Sequence, residues 1–176
     1  MEAVVVYKTK YGATRTYANW IADELNCPVI DAKATSADEL SKYDTVIYGG
    51  GLYAEVINGV SLITKNAEKL KDARLFVFTT GLTPARWREY YEKMVFEKNF
   101  KGEIRDRIKM YNFPGKMINS ELSLVHRTAL KTLKKIMSEK KYPTEMERLL
   151  VELCDADGDF SDRAAIKPLI EDVLKE

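Results

Sequence analysis

The chain alternates short hydrophobic runs with longer amphipathic stretches. The run at residues 4–7 is rich in β-branched residues and typical of a buried strand, and apolar residues then recur at helical spacing over 17–25. Similar runs predict four further strands, at residues 28–31, 45–48, 74–78 and 108–111. Because strands alternate with helical patterns, the sequence predicts an α/β domain whose parallel sheet is covered by helices on both faces.

The remaining helices follow from the same periodicity. One is predicted from Asn58 or Ser61 to Leu70, and another begins at Pro84, a residue well suited to the first helical position. After a break at residues 112–115, an apolar stripe with a basic remainder predicts an amphipathic helix over 122–141. A last helix follows a cap at Ser161 or Asp162, and Pro168 means that it either begins later or is kinked.

Length and composition fit one ordinary globular domain. The 176 residues are 45% hydrophobic and 31% charged, so we expect a single domain over 1–176, with about 112–155 as an added helical segment. The formal net charge of +1 gives no field that would attract nucleic acid. We find neither a signal-peptide pattern nor an apolar run of ~18 residues, so the expected location is cytoplasmic.

Metal and triad chemistry find no support in the sequence. Cys27 and Cys154 lack metal-ligand spacing, and His126 alone cannot build a histidine metal site or a Ser-His-Asp triad. The acidic run at 155–159 fails as a calcium loop, because Phe160 and Ile166 stand where an EF-hand needs Gly and Glu. No side chain is singled out as a catalytic acid or base.

The turn after the first strand is the main candidate for binding chemistry. It lies at a helix N-terminus, where unpaired N–H groups and the helix dipole favour a phosphate. Thr9, Thr14 and Thr16 add hydroxyl donors, and Gly12 permits a close backbone approach. The alternative is a tight turn capped by threonine hydroxyls with no ligand. Neither the dinucleotide fingerprint nor the P-loop pattern is present.

Two further strands end in glycine-containing segments that we interpret as loops. The strand at 45–48 runs into three glycines followed by Leu52, Tyr53 and Ala54, and the strand at 74–78 runs into Thr79, Thr80, Gly81 and Leu82. The glycines suit close approach of a flat ring with Tyr53 stacked on it, although a flexible turn with a solvent-facing tyrosine is equally consistent. Since parallel strands end at the same sheet edge, these segments and the first turn should converge.

The helix that begins at Pro84 carries two arginines and a tryptophan in its first turns. Arg86 and Arg88 oppose the helix dipole there and therefore need either solvent or an anion. One interpretation is an anion-recognising rim formed with Trp87, because arginine binds carboxylates through a bidentate fork. The other is a pair of solvated arginines that flank a core tryptophan.

The run Thr9-Lys10-Tyr11-Gly12-Ala13-Thr14 resembles the flavodoxin phosphate loop, T/S-x-T-G-x-T, with Tyr11 in place of the middle threonine. Tyr-Gly at this place is similar to the quinone-reductase branch of the flavodoxin-like proteins. The resemblance implies a doubly wound five-stranded parallel sheet of order 2-1-3-4-5 with FMN as cofactor. It also implies that Thr9, Lys10, Tyr11, Gly12, Ala13 and Thr14 hold the phosphate, while two segments frame the flavin ring: Gly50, Gly51, Leu52, Tyr53 and Ala54, and Thr79, Thr80, Gly81 and Leu82.

The segment after the fifth strand resembles the flavodoxin-domain branch that includes the menaquinone-dependent protoporphyrinogen dehydrogenases. This resemblance implies an oxidoreductase that passes electrons between a flat quinone- or porphyrinogen-type substrate and an acceptor, with Arg86, Trp87 and Arg88 as candidate substrate residues. It also implies a peripheral contact with the inner face of the membrane, for which the basic helix 122–141 is suited; the same stripe would equally cover the sheet. The alternatives are an electron carrier that docks on a redox protein and an interaction module without FMN.

Overall fold

Five parallel strands form the centre of the computed structural model, which describes residues 2–82 and 88–175. In chain order the strands of this sheet are β1 (Ala3–Lys8), β2 (Val29–Asp31), β3 (Thr45–Tyr53), β4 (Val56–Ile57), β5 (Arg74–Gly81) and β6 (Ile108–Pro114). The parallel strands follow the order β2-β1-β3-β5-β6, and β4 adds an antiparallel hairpin to the end of β3. This order confirms the predicted 2-1-3-4-5 arrangement of five strands.

Helices cover both faces of the sheet: α1 (Ala13–Leu25), α2 (Ala37–Leu40), α3 (Ser61–Thr64), α4 (Arg88–Asn99) and α7 (Lys167–Leu174). Successive strand side chains point to opposite faces. Val5, Ile47 and Phe78 therefore pack with α1 and α7, whereas Val4, Val6 and Val77 pack in a second core with Ile63 and Val95 of α3 and α4. The sheet is buried on both sides, which explains its near-continuous hydrophobic strands.

Two of the helices that cover the sheet differ from the sequence-based expectation. The predicted helix to Leu70 is wrong in length: only the turn Ser61–Thr64 is α-helical, and no side chain caps its start at Val60. A short helix at 37–40 is an addition, and it is held by a reciprocal capping box between Ser36 and Glu39. The last helix begins late, which confirms one of the two predicted alternatives: residues 163–166 form a 3-10 turn capped by Asp162, and Pro168 occupies the first turn of α7.

Residues 116–160 form a compact unit of their own, separate from the unit made of 1–115 and 161–176. In it, β7 (Lys116–Met117) pairs with β8 (Gly158–Asp159), and α5 (Leu124–Ser138) packs along α6 (Glu145–Cys154). The predicted helix 122–141 is thus shorter, since Ser123 caps its start and it ends at Ser138. None of the helices in the described ranges has the length and apolar character needed to cross a membrane.

Candidate functional site

The turn between β1 and α1 leaves the start of α1 without a side-chain cap. Gly12 is the N-cap residue at φ +96°, a conformation that favours glycine, and no side chain there accepts a bond from the helix. By contrast, α2, α5 and α6 are capped by Ser36, Ser123 and Thr144. The turn itself is pinned by the Gly12 amide, which donates to Thr9 Oγ1 at 2.9 Å.

Open space lies in front of this uncapped helix start. A Cβ atom built on Gly12 would meet no atom of the described residues within 4 Å. The first amides of an α-helix have no acceptor within the helix, and the dipole there is positive. The turn therefore offers donors, a favourable potential and room for an anionic group.

Thr14 and Thr80 join this turn to the end of β5. Their hydroxyl oxygens lie 2.8 Å apart, and the residues are only 2% and 7% exposed. Thr16 Oγ1 donates to the carbonyl of Gly12 at 3.4 Å, inside the same turn. The structure thus brings together two of the segments that the sequence placed at one edge of the sheet.

Gly49, Gly50 and Gly51 belong to a strand, so their interpretation as a loop is wrong. Gly49 and Gly50 pair with both β1 and β5, for example Gly50 with Lys8 and with Thr79, and Gly51 pairs with Thr80 of β5. A Cβ on Gly49 would clash with the ring of Phe78, and one on Gly50 would lie 2.6 Å from Ile57 Cγ2. These two glycines are required because large side chains of other elements occupy the space above them.

A tight hairpin then turns β3 into β4. Ala54 and Glu55 have positive φ values, 46° and 65°, which non-glycine residues rarely adopt. The end of α4 supports this turn, because Lys98 Nζ donates to the Ala54 carbonyl at 3.0 Å and Asn99 Nδ2 donates to the Glu55 carbonyl at 2.7 Å. Asn99 Oδ1 also accepts from the Ile57 amide.

Tyr53 closes over the end of β3 close to the first turn. Its ring lies 3.2 Å from the position of a Cβ on Gly51. Burial, followed by the charge of Tyr11, raises the pKa of Tyr53 to about 12. Lys10 Nζ lies 5.6 Å from the centre of the Tyr11 ring, a cation–π distance. Tyr53 is therefore a neutral aromatic residue with a hydroxyl donor throughout the physiological pH range.

The ends of β5 and β6 extend further than expected. Thr79, Thr80 and Gly81 lie within β5. The predicted break at 112–115 is wrong for residues 112–114, because β6 continues to Pro114, which pairs with Gly81. Proline is tolerated here because it stands at the end of an edge strand. Leu82, half-buried, follows directly.

Arg88 is the first residue of α4 and is exposed, whereas Arg86 and Trp87 lie outside the described residues. Between α4 and the strand ends is a small cavity of about 20 Å³, lined by Leu52, Thr79, Arg88, Glu92, Asn112 and Phe113 among others. A larger open groove of about 680 Å³ lies near Cys27 and Tyr43, and none of the predicted site residues lines it. Within the described ranges, no cluster of three or more His, Cys, Asp or Glu side chains is suited to a metal ion.

Comparison with known proteins decides the family. The profile of the flavodoxin domain family matches residues 4–147. The chain belongs to the flavodoxin domain family. A curated relative, the uncharacterized protein MJ0298 of Methanocaldococcus jannaschii, is 29% identical over 119 residues, which cover 64% of this chain and 69% of the relative.

Solved flavodoxin structures resemble this flavodoxin domain at low identity. A flavodoxin from the domain Archaea is 14% identical, with 88% of this chain and 97% of that chain covered and a TM-score of 0.43. A WrbA-like flavodoxin from Agrobacterium tumefaciens is 16% identical, with coverages of 88% and 95% and a TM-score of 0.43. Family membership rests on the profile match, and the strand order rests on the pairing described above.

One residue of this edge was missed in the sequence. In the sequence, Asn112 stands in a segment predicted to break the strand. In the structure its side chain lies against Thr79, whose hydroxyl donates a hydrogen bond to Asn112 Oδ1. The alternation of side chains between the two faces of β6 could have identified Asn112. Ile108 and Met110 face the core on the α4 side, so the next residue in step, Asn112, places a polar side chain on the same face.

Proposed function

We propose that this flavodoxin domain binds FMN at the edge formed by the ends of β1, β3 and β5 and acts as a redox protein. The observation that carries the proposal is the uncapped start of α1 at Gly12, with open space before it and the buried Thr14–Thr80 pair beside it. Such a helix start suits a phosphate monoester. Bound FMN would supply the electron-transfer chemistry, and the protein would bind and orient it.

The phosphate would be held by the turn from Thr9 to Thr14. The first backbone amides of α1 have no side-chain cap, and Lys10 adds a positive charge to the turn. Thr9 keeps Gly12 in its left-handed conformation through the 2.9 Å bond to the Gly12 amide. Tyr11 stands where the flavodoxin loop has a threonine, and its ring lies 5.6 Å from Lys10 Nζ.

The ring would be framed by the ends of β3 and β5. Gly50, Gly51, Leu52, Tyr53 and Ala54 form one side, and Thr79, Thr80, Gly81 and Leu82 form the other. Leu52 Cβ lies 3.6 Å from the position of a Cβ on Gly81, so these two ends are in contact. The neutral, half-buried Tyr53 is suited to stack on a flat ring.

The substrate that we propose is a flat quinone- or porphyrinogen-type molecule. Arg88 lies at the rim of the small cavity next to Leu52, where it can meet an anionic or carbonyl-bearing group. The net charge of +1 gives no strong field of the kind that steers protein partners together. Both points favour an oxidoreductase over a carrier that docks on another redox protein.

Anaerobic stopped-flow kinetics would test this function. The FMN-loaded protein is reduced with dithionite and mixed with 2-methyl-1,4-naphthoquinone, which takes up two electrons and two protons to become the quinol. We expect reoxidation of the protein at a rate that rises with quinone concentration and saturates. Reoxidation by a small cytochrome but not by the quinone would instead identify an electron carrier.

We also propose that helix α5 makes a peripheral contact with an anionic membrane. Leu124, Val125 and Ile136 on α5 are 77%, 74% and 53% exposed, although α6 covers another part of the predicted apolar stripe. Lys131 and Lys135 lie on the same helix and are exposed. Co-sedimentation with anionic vesicles should fall as salt rises, and equal binding to neutral vesicles would contradict an electrostatic contact.

A further inference from the structure

Asn112 carries a buried amide nitrogen without a hydrogen-bond partner among the described residues. Its Nδ2 atom is inaccessible to solvent, and within those ranges no acceptor lies in reach. Buried polar atoms are nearly always paired, because an unpaired donor loses its bonds to water and gains nothing in return. An unpaired amide at the edge of a binding domain therefore indicates a group that completes it.

The orientation of this amide is fixed by its neighbour on β5. Thr79 and Asn112 are direct partners in the parallel pair β5–β6. The Thr79 hydroxyl, which is fully buried, donates to Asn112 Oδ1. Since this bond uses the amide oxygen, the NH2 group is left without a partner among the described residues.

The space next to Asn112 has room for one oxygen atom. The cavity it lines measures about 20 Å³, somewhat more than the ~10–15 Å³ that a single water molecule needs. Leu52 supplies an apolar wall, and Arg88 and Glu92, one helical turn apart on α4, supply polar ones. A phosphate or a whole carboxylate is too large for this space, whereas the carbonyl oxygen of a flat molecule fits it.

The geometry points to Asn112 as a binding residue for the redox substrate: Nδ2 donates a hydrogen bond to one carbonyl oxygen of a quinone-type molecule, and that oxygen occupies the small cavity lined by Leu52 and Arg88. This inference rests on the proposed function and names the group that recognises its substrate. Thr79 is the positioning residue, because it holds the amide in the orientation that presents the donor.

Asn112→Asp tests the donor with little change in shape. The variant keeps an oxygen for Thr79 and replaces the NH2 group by an acceptor. We expect the Kd for FMN, measured by flavin fluorescence, to stay within about twofold of wild type, while the Kd for 2-methyl-1,4-naphthoquinone, measured by thermal shift of the FMN-loaded protein, rises about tenfold or more. Asn19→Asp on the exposed face of α1 introduces the same charge and should leave both constants unchanged.

Thr79 provides a second, independent variant. Thr79→Val should weaken quinone binding in the same direction, and Thr79→Ser, which keeps the hydroxyl, should restore it. Should Asn112→Asp fail to fold, Asn112→Ala carries the same expectation for both ligands.

The outcomes separate this inference from the function on which it rests. Failure of the wild-type protein to bind FMN overturns the proposed function and the inference with it. FMN binding with unchanged quinone affinity in the Asn112 variants overturns the inference alone, because the amide then bonds only water. An equal loss of FMN affinity also overturns it, since the amide would then serve the cofactor.

Discussion

Gly12 is the residue on which the proposed phosphate site depends most directly. A valine there would place its side chain in the open space before α1, where the phosphate would lie. We expect Gly12→Val to weaken FMN binding at least about tenfold. Its backbone at φ +96° would also be strained, by about 1–3 kcal/mol. FMN titration together with urea unfolding separates the two effects.

Gly102 supplies a matched control for that substitution. It also has a positive φ, +65°, and a Cβ built on it would meet nothing within 4 Å. It lies in the 3-10 turn that precedes β6, at the opposite end of that strand from Asn112. Gly102→Val should therefore lower stability to a similar extent and leave FMN affinity intact; an equal loss of affinity would show that strain alone is responsible.

A second prediction about single residues concerns the hydrogen bond between the hydroxyls of Thr14 and Thr80. Replacing either threonine by valine leaves the other buried hydroxyl without its partner and should cost about 1–3 kcal/mol. The double variant removes both hydroxyls, so its destabilisation should be smaller than the sum of the two single effects. Urea unfolding of the four proteins measures this coupling, and strictly additive losses would mean that the hydroxyls do not bond to each other.

At the scale of elements, α7 is attached to the sheet by polar contacts at its carboxyl end. Arg74, the first residue of β5, donates to the carbonyls of Asp172 and Val173 at 2.8 and 2.9 Å, as a cation suits the end of a helix dipole. Tyr111 of β6 donates to the Asp172 carboxylate at 2.6 Å. Burial and this bond raise the pKa of Tyr111, so the donor stays protonated.

These contacts make stability depend on pH at acid values. Hydrogen bonds from Lys175 and then Tyr111 lower the pKa of Asp172 to about 2 from an ordinary 3.8. Because the folded pKa is the lower one, the contribution is present above about pH 4 and is lost as the pH falls towards 2. Asp172→Asn should lower Tm slightly at pH 6 and flatten the fall in Tm between pH 4 and 2.

Asp106→Asn, at an exposed position of the turn before β6, is the control for this measurement. It should leave the acid part of the Tm curve like that of the wild type. If both variants gave the same curve, Asp172 would have no special part in the acid sensitivity.

Some features of the strands and helices were predictable from the sequence, and others were not. Five strands were predictable because strands such as β1 are hydrophobic without interruption, and their order was implied by the resemblance of the first turn to the flavodoxin phosphate loop. The extent of β3 was not predictable, because glycine normally weakens a strand. Glycine is needed at positions 49 and 50 because Phe78 of β5 and Ile57 of β4 fill the adjacent space, and the sequence does not show these contacts. Likewise, the left-handed turn at Ala54 depends on Lys98, 44 residues away. The capping box at Ser36 is visible in the sequence, but a helix of four residues is too short to show a hydrophobic periodicity.

At the scale of the whole molecule, the turn proposed to hold the phosphate was easier to locate in the sequence than the residues around it. The turn at Gly12 combines strand, glycine, hydroxyls and helix in one local stretch, so its place between β1 and α1 followed from the sequence, and its role in binding stays a prediction. Asn112 and Glu92 join the same edge only through the pairing of β5 with β6 and the start of α4. Such residues are separated along the chain, and only the fold brings them together.

The proposed function requires that this flavodoxin domain recognises the phosphate of FMN. A fluorescence titration of the flavin-free protein with FMN, with riboflavin as the ligand that lacks the phosphate, tests this recognition most directly. We expect strong quenching and tight binding of FMN, with riboflavin bound at least about tenfold more weakly, because only FMN fills the turn at Gly12. Equal affinity for the two flavins, or no binding of either, would contradict it.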